Sequence, residues 1–201
     1  MATSATVFIV AAPSGAGKTS LVNALLASTP DIEASVSHTT REPRPGEIDG
    51  KDYFFVNRET FERLAAEKVF LEHAEVHGQL YGTLKSEIMD RLRSGQDVLV
   101  DIDVQGAELI RRHRNETIAA AMIDIFILPP DGDELVERLR GRGTETAEQL
   151  ELRLHNAREE MRHWEDYQYT ILSASKEEDF TTFSTIVNGE RCRTSRYLSD
   201  Q

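Results

Sequence analysis

Residues Ala12-Pro13-Ser14-Gly15-Ala16-Gly17-Lys18-Thr19 set two glycines, a lysine and a hydroxyl group at the spacing of a phosphate-binding loop. The chemistry of such a loop is anion binding. Backbone N–H groups from Ser14 to Thr19 point inward at phosphate oxygens, helped by the positive end of the helix that follows. Gly15 and Gly17 permit close backbone approach and a positive φ. Lys18 supplies a point charge for β- and γ-phosphates, and the Thr19 hydroxyl a ligand for Mg²⁺. The first position of the pattern, usually glycine, is Ala12, which suits the turn when its φ stays negative. A solvated lysine beside an ordinary turn is the bland alternative. The apolar run before the loop and the helical spacing after it favour a chain that handles a nucleoside triphosphate.

Two further groups carry chemistry. Arg41 and Arg44 are separated by Pro43 and followed by Pro45, which restricts the loop and aims two guanidinium forks at phosphate oxygens. The competing reading is a solvated loop whose arginines pair with Glu42 and Glu47. Asp101 ends the run Val98-Leu99-Val100 at a position suited to Mg²⁺, and Asp103, two residues on, is expected on the same face of that strand. Two carboxylates on one face of an apolar strand call for a cation or donor nearby, unless they are ordinary strand-end carboxylates.

The elements that must position these groups follow from periodicity. Val7–Ala11, Val98–Val104, Ile123–Leu128 and Tyr169–Leu172 read as buried strands, and Leu21, Val22, Leu25 and Leu26 repeat at helical spacing until Pro30. Strands alternating with helices imply a parallel sheet covered on both faces, with ligands at the carboxyl ends of the strands. Two stretches interrupt the alternation. Ser37 to Gly95 holds an Arg/Pro/Gly-rich loop, the aromatic piece Tyr53–Val56 and two amphipathic helices, one with Leu84, Ile88 and Leu92, and reads as an inserted subdomain. Pro129 to Trp164 reads as a lid, with a helix-starting pair Asp131 and Glu134 and glycines flanking Arg142. Within it Ala147, Leu150, Leu154, Ala157, Met161 and Trp164 make one packing face. Val69–Val76 is ambiguous between strand and helix, Ala119–Ala121 extends a helix or loop, and a closing helix is expected from Phe180.

The 201 residues suit one domain, and the net charge of −12 argues against non-specific binding to nucleic acid or an anionic membrane. A polyanionic substrate must then be held by local arginines. The single cysteine, Cys192, excludes an intramolecular disulfide and points to a reducing compartment, the cytoplasm. The longest apolar stretch, Ile118 to Leu128, contains Asp124 and falls short of the roughly 20 residues of a membrane span. The N-terminal apolar run has no basic region before it and is expected to be a core strand, not a signal peptide. His73 and His77 sit four apart without a third metal ligand at suitable spacing. Nothing in the pattern speaks to oligomeric state.

Taken together, Ser35 to Tyr53, Leu71-Glu72, Tyr81-Gly82-Thr83, Asp101 to Gly106 and Arg140-Gly141-Arg142-Gly143 closely resemble the guanylate kinase family, over residues from about 7 to 172. The resemblance implies an α/β P-loop kinase: a parallel sheet core covered by helices (1–36, 97–128 and 165–201), an inserted GMP-binding subdomain (37–96) and a lid (129–164). It implies transfer of the γ-phosphoryl group of ATP to GMP, giving GDP and ADP, with these two small molecules as partners and Mg²⁺ as cofactor. On the same grounds residues 12–19 bind ATP, and Arg41, Arg44, Tyr53 and Tyr81 bind the GMP phosphate. Ser37, Glu72, Thr83 and Asp103 contact guanine. Thr19 and Asp101 serve the metal, and Lys18, Arg138, Arg142 and Arg153 act in catalysis. An ionised Glu72 can accept from guanine N1–H and the 2-amino group together, whereas adenine leaves it unpaired; otherwise Glu72 is a surface carboxylate beside His73. The chain departs from the family at Ser173-Ala174-Ser175, where an Asn-Asp-Asp element near the adenine is usual. A backbone carbonyl in its place, or a relaxed donor preference, would accommodate this. Two alternatives are a non-catalytic guanylate-kinase-like module that binds phosphopeptides and a P-loop kinase for a ribose bisphosphate. Lys18, Thr19, Arg138 and Arg142 argue against the first, the base-facing set against the second.

Overall fold

A computed structural model describes residues 4–13, 15–76, 78–113, 115–129 and 147–197, with the side chains of 147–150 excepted. Ser14, Arg138, Arg142 and the pair Asp131 and Glu134 lie outside the described residues. The run Val7–Ala11 is strand β1, and all five of its residues are fully buried. It is followed by α1 (Lys18–Ser28), β2 (Ile32–Ala34), β3 (His38–Thr39), β4 (Phe54–Phe55), α2 (Arg58–Ala66), β5 (Phe70–Val76) and β6 (Gln79–Leu84). Then come α3 (Lys85–Arg93), β7 (Asp97–Asp101), α4 (Val104–Arg112), α5 (Glu116–Ala121) and β8 (Met122–Leu128). The chain closes with α6 (Ala147–Met161), a 3₁₀ turn (Arg162–Asp166), β9 (Tyr169–Leu172), α7 (Lys176–Arg191) and a 3₁₀ turn (Thr194–Tyr197).

β1 is the middle strand of a five-stranded parallel sheet ordered β2-β7-β1-β8-β9. Because alternate β1 residues point to opposite faces, two cores form. Phe8 and Val10 pack with Leu21 and Leu25 of α1 and Phe183 and Val187 of α7. Val7 and Ile9 pack with Ile88 of α3 and Ala107 and Ile110 of α4. Burial on both faces is why the strand reads as an unbroken apolar run. A second sheet, ordered β4-β3-β6-β5, lies within the stretch read as an insertion.

Several sequence expectations are corrected. β7 stops at Asp101, so Asp103 does not share a strand face with it. Asp103 is instead the N-cap of α4, its carboxylate accepting the Gly106 N–H at 2.7 Å, and this capping bond turns the chain out of the strand. Leu84 ends β6 and caps α3, Val69–Val76 resolves as β5, and the last helix begins at Lys176 on a Ser175/Glu178 capping box. Trp164 is not part of the packing face of Leu154, Ala157 and Met161. The 3₁₀ turn after α6 changes the repeat from 3.6 to about 3.0 residues per turn and leaves Trp164 40% exposed.

At the opposite end of the sheet from the glycine loop, buried Asp97 ties three segments together. Its Oδ1 accepts from Thr6 N–H at 2.8 Å and Arg196 Nη2 at 2.7 Å, and its Oδ2 accepts from Arg191 Nε at 2.8 Å. Removing one side of such a network strands the buried remainder. Asp97→Ala is therefore expected to lower unfolding free energy by about 3–5 kcal/mol, read from urea denaturation, with turnover of the surviving folded protein unchanged.

Candidate active site

The loop leaving β1 has Gly15 at φ 91° and Gly17 at φ 86°, while Ala12 is not among the left-handed residues. Gly17 caps α1 without a side-chain bond, so the first-turn amides of that helix face the loop's interior. Register then brings in the next strand: Val10 of β1 lies opposite Asp101 of β7. Lys18, the first residue of α1, donates to the Asp101 carboxylate and to the Ile102 carbonyl. Thr19 is exposed beside it.

A cavity of about 280 Å³ joins Lys18, Thr19 and Asp101 to Ser37, Arg41, Arg44, Tyr53, Glu72, Tyr81 and Asp103. Arg153 is on α6 and does not line it. At one end the Arg41 guanidinium is held by Glu47 through Nη1 to Oε2 and Nη2 to Oε1, both at 2.9 Å, and donates to the Glu42 carbonyl at 2.7 Å. Glu47 also accepts the Arg44 N–H at 2.7 Å. The Arg41–Glu47 pairing weighed for a solvated loop is thus present. It orients the fork toward Tyr53, whose ring is 5.4 Å away, and toward Tyr81, with which the guanidinium also interacts. The Glu47 bond raises the Arg41 pKa, and the same bond lowers that of Glu47. Arg44 is exposed.

At the other end, antiparallel pairing of β5 with β6 sets Glu72 opposite Thr83. Glu72 is 7% exposed and accepts from Thr83 Oγ1 at 2.7 Å, with Ser37 Oγ 3.0 Å from the same hydroxyl. With Glu72 ionised, Thr83 gives it a proton and takes one from Ser37. Burial pushes the Glu72 carboxyl up to about 7, Asp103 adds to the rise, and the Thr83 bond opposes it. The reading of Glu72 as a surface carboxylate is therefore set aside. α4 approaches closely because residue 106 is glycine: a Cβ there would lie 3.1 Å from Glu72 Oε2 and 3.2 Å from Asp103 Oδ1.

Glu47, Gly106 and the Ile102 carbonyl were missed as contributors. Glu47 had a signal, an acid balancing Arg41; Gly106 had one only in its place within the Asp101–Gly106 motif. A glycine loop, a lysine–aspartate pair, an arginine fork and a buried carboxylate thus gather around one cavity. The family model described as guanylate kinase covers residues 4–190. The chain belongs to the guanylate kinase family. The guanylate kinase of Escherichia coli (strain K12) is 47% identical over 193 residues, spanning 95% of this chain and 91% of that protein. That of Thiobacillus denitrificans (strain ATCC 25259 / T1) is 48% identical over 191 residues, spanning 95% and 89%. A crystal structure of guanylate kinase from Anaplasma phagocytophilum superposes with a TM-score of 0.77 at 35% identity, covering 96% of this chain and 90% of that one. Among the described residues no helix is long and apolar enough to cross a membrane.

Proposed function

We propose that this guanylate kinase family member transfers the γ-phosphoryl group of ATP to GMP. An oxygen of the GMP phosphate bonds to the γ-phosphorus as the bond from that phosphorus to the β–γ bridging oxygen breaks, giving GDP and ADP. The observation that carries the proposal is buried Glu72, held by Thr83 and Ser37 at one end of a cavity whose other end holds Lys18 and Thr19. A carboxylate with no donor except Thr83 among its described bonds suits a base edge that offers two N–H groups side by side. Arg41, Arg44, Tyr53 and Tyr81 take the GMP phosphate, and residues 12–19 take the ATP phosphates. Since both substrates are anionic, the work of the site is to align them and offset their repulsion.

Thr19 and Asp101 offer a hydroxyl and a carboxylate to the same cavity, an oxygen donor set that fits Mg²⁺, which keeps few protein ligands and completes its shell with phosphate and water. Bound there, Mg²⁺ would supply Lewis-acid neutralisation of phosphate charge. Arg138, Arg142 and Arg153 are assigned to the lid (129–164), closing over the core (1–36, 97–128 and 165–201) and the GMP-binding subdomain (37–96). The exposed thiol of Cys192 suits a reducing compartment, and we assign the activity to the cytoplasm. A coupled assay with ATP and Mg²⁺ across AMP, GMP, CMP and UMP tests the proposal: GMP alone should turn over, and absence of GDP would refute it.

The state of Glu72 gives the reaction a pH signature. Only the ionised carboxylate accepts both guanine donors, and with a pKa of about 7 it is roughly one-tenth ionised at pH 6 and nine-tenths at pH 8. KM for GMP should fall about tenfold from pH 6 to pH 8 and then level off, with KM for ATP following a different course. In Glu72→Gln this component disappears and only the titration of the GMP phosphate near pH 6 remains.

A further inference from the structure

The glycine loop has a cavity on each side. The acceptor cavity is described above; the other, of about 420 Å³, lies between α1 and the start of α7, against Gly17, Leu21, Ala24, Ala174, Lys176 and Asp179. With the terminal phosphate of a triphosphate beside Lys18 and Thr19, this second cavity is where the nucleoside end of the donor fits, and its volume suits one. Resting on the phosphoryl-transfer proposal, we propose that this cavity does not discriminate between purine bases, so the chain uses GTP as a phosphoryl donor nearly as well as ATP.

Strong rejection of a wrong base needs a buried polar side chain which that base leaves unpaired. The acceptor cavity has such a group in Glu72. Among the described residues the donor cavity does not. Ser173, which precedes the lining residue Ala174, is 2% exposed, and its hydroxyl donates to Asp179 Oδ2 at 2.7 Å. Asp179 Oδ1 accepts the Ala174 N–H at 2.8 Å, so this carboxylate holds the turn into α7. Ser175 and Glu178 are engaged with each other in the capping box. The remaining lone pairs of Asp179 accept from the 6-amino group of adenine or from N1–H and the 2-amino group of guanine, and because this carboxylate is half-buried, water fills the place that adenine leaves. Lys176 is exposed, and its ammonium meets N7 of either purine or O6 of guanine, with water taking its place at no great loss. Leu21, Ala24 and Ala174 contact base faces, which the two purines share.

The test measures kcat/KM for ATP and for GTP with the full-length protein, Mg²⁺ and saturating GMP, counting GDP by ion-exchange chromatography and following the label from γ-³²P donors. The expected result is that the two donors agree within about tenfold, the range one unburied hydrogen-bonding difference allows. A larger preference for ATP, with ATP and GMP still converted, overturns the inference alone. If neither donor phosphorylates GMP, the phosphoryl-transfer reading falls and the donor inference with it.

Discussion

Lys18→Ala is expected to yield a folded protein whose kcat for GDP formation has dropped by about 10²–10³-fold. The side chain begins α1 and is only 19% exposed, with its ammonium fixed by Asp101 and the Ile102 carbonyl before any substrate arrives. It is thus preorganised where negative charge concentrates during transfer, and such groups act mainly on the transition state. The substitution also leaves Asp101 without its cation beside the incoming phosphates, adding repulsion to lost attraction. Because α1 is held by Leu21, Val22 and Leu25 in the core, folding should survive, which thermal unfolding would establish. Lys18→Arg should not restore the rate, since a planar fork cannot occupy the position of a compact ammonium. A kcat within a fewfold of the parent would remove Lys18 from the chemistry.

Glu72→Gln should cut the preference for GMP over AMP by at least about a hundredfold. An amide presents one acceptor and one donor, so it opposes one of the two guanine N–H groups while matching the amino group and ring nitrogen of adenine. KM for GMP carries the loss and KM for ATP stays near its parent value. Stability should move the other way. With the native carboxyl near 7 and an ordinary value of 4.5, the folded state holds the proton more tightly, so the stabilising contribution is complete below pH 4.5 and is lost as pH rises through 7. Above that, a neutral amide avoids the burial of charge, and the variant should melt later than the parent at pH 8. An unchanged GMP to AMP ratio would take base reading away from Glu72.

The segment from Val7 through α1 was readable because a strand buried on both faces leaves no polar residue in its run, and because Gly15 and Gly17 announce the left-handed turns between it and the helix. β2 was not, since three residues with only Ile32 buried carry no period. β5 took its identity from β6, through pairings such as Glu72 with Thr83 that a helix and a strand pattern leave equally open. Asp103 misled because strand alternation was carried past the residue that caps α4. In the site, glycine-loop chemistry was explicit in residue types, and the resemblance supplied Glu72 and Thr83. The hold of Glu47 on Arg41 and the close pass of Gly106 depend on tertiary contacts that local spacing does not encode.

The central position of β1 has a consequence for biosynthesis. Val7 finds its neighbours only at Val98 and Met122, so β1 must wait until β7 and β8 have been synthesised. At typical elongation rates of about 5–20 residues per second, that delay is several seconds to tens of seconds. During it Val7–Ala11 is a bare β-prone apolar segment, a natural client for chaperones, and long-range closure of this kind slows folding further. The nascent chain therefore completes its phosphate cradle and conceals its stickiest segment in a single late event.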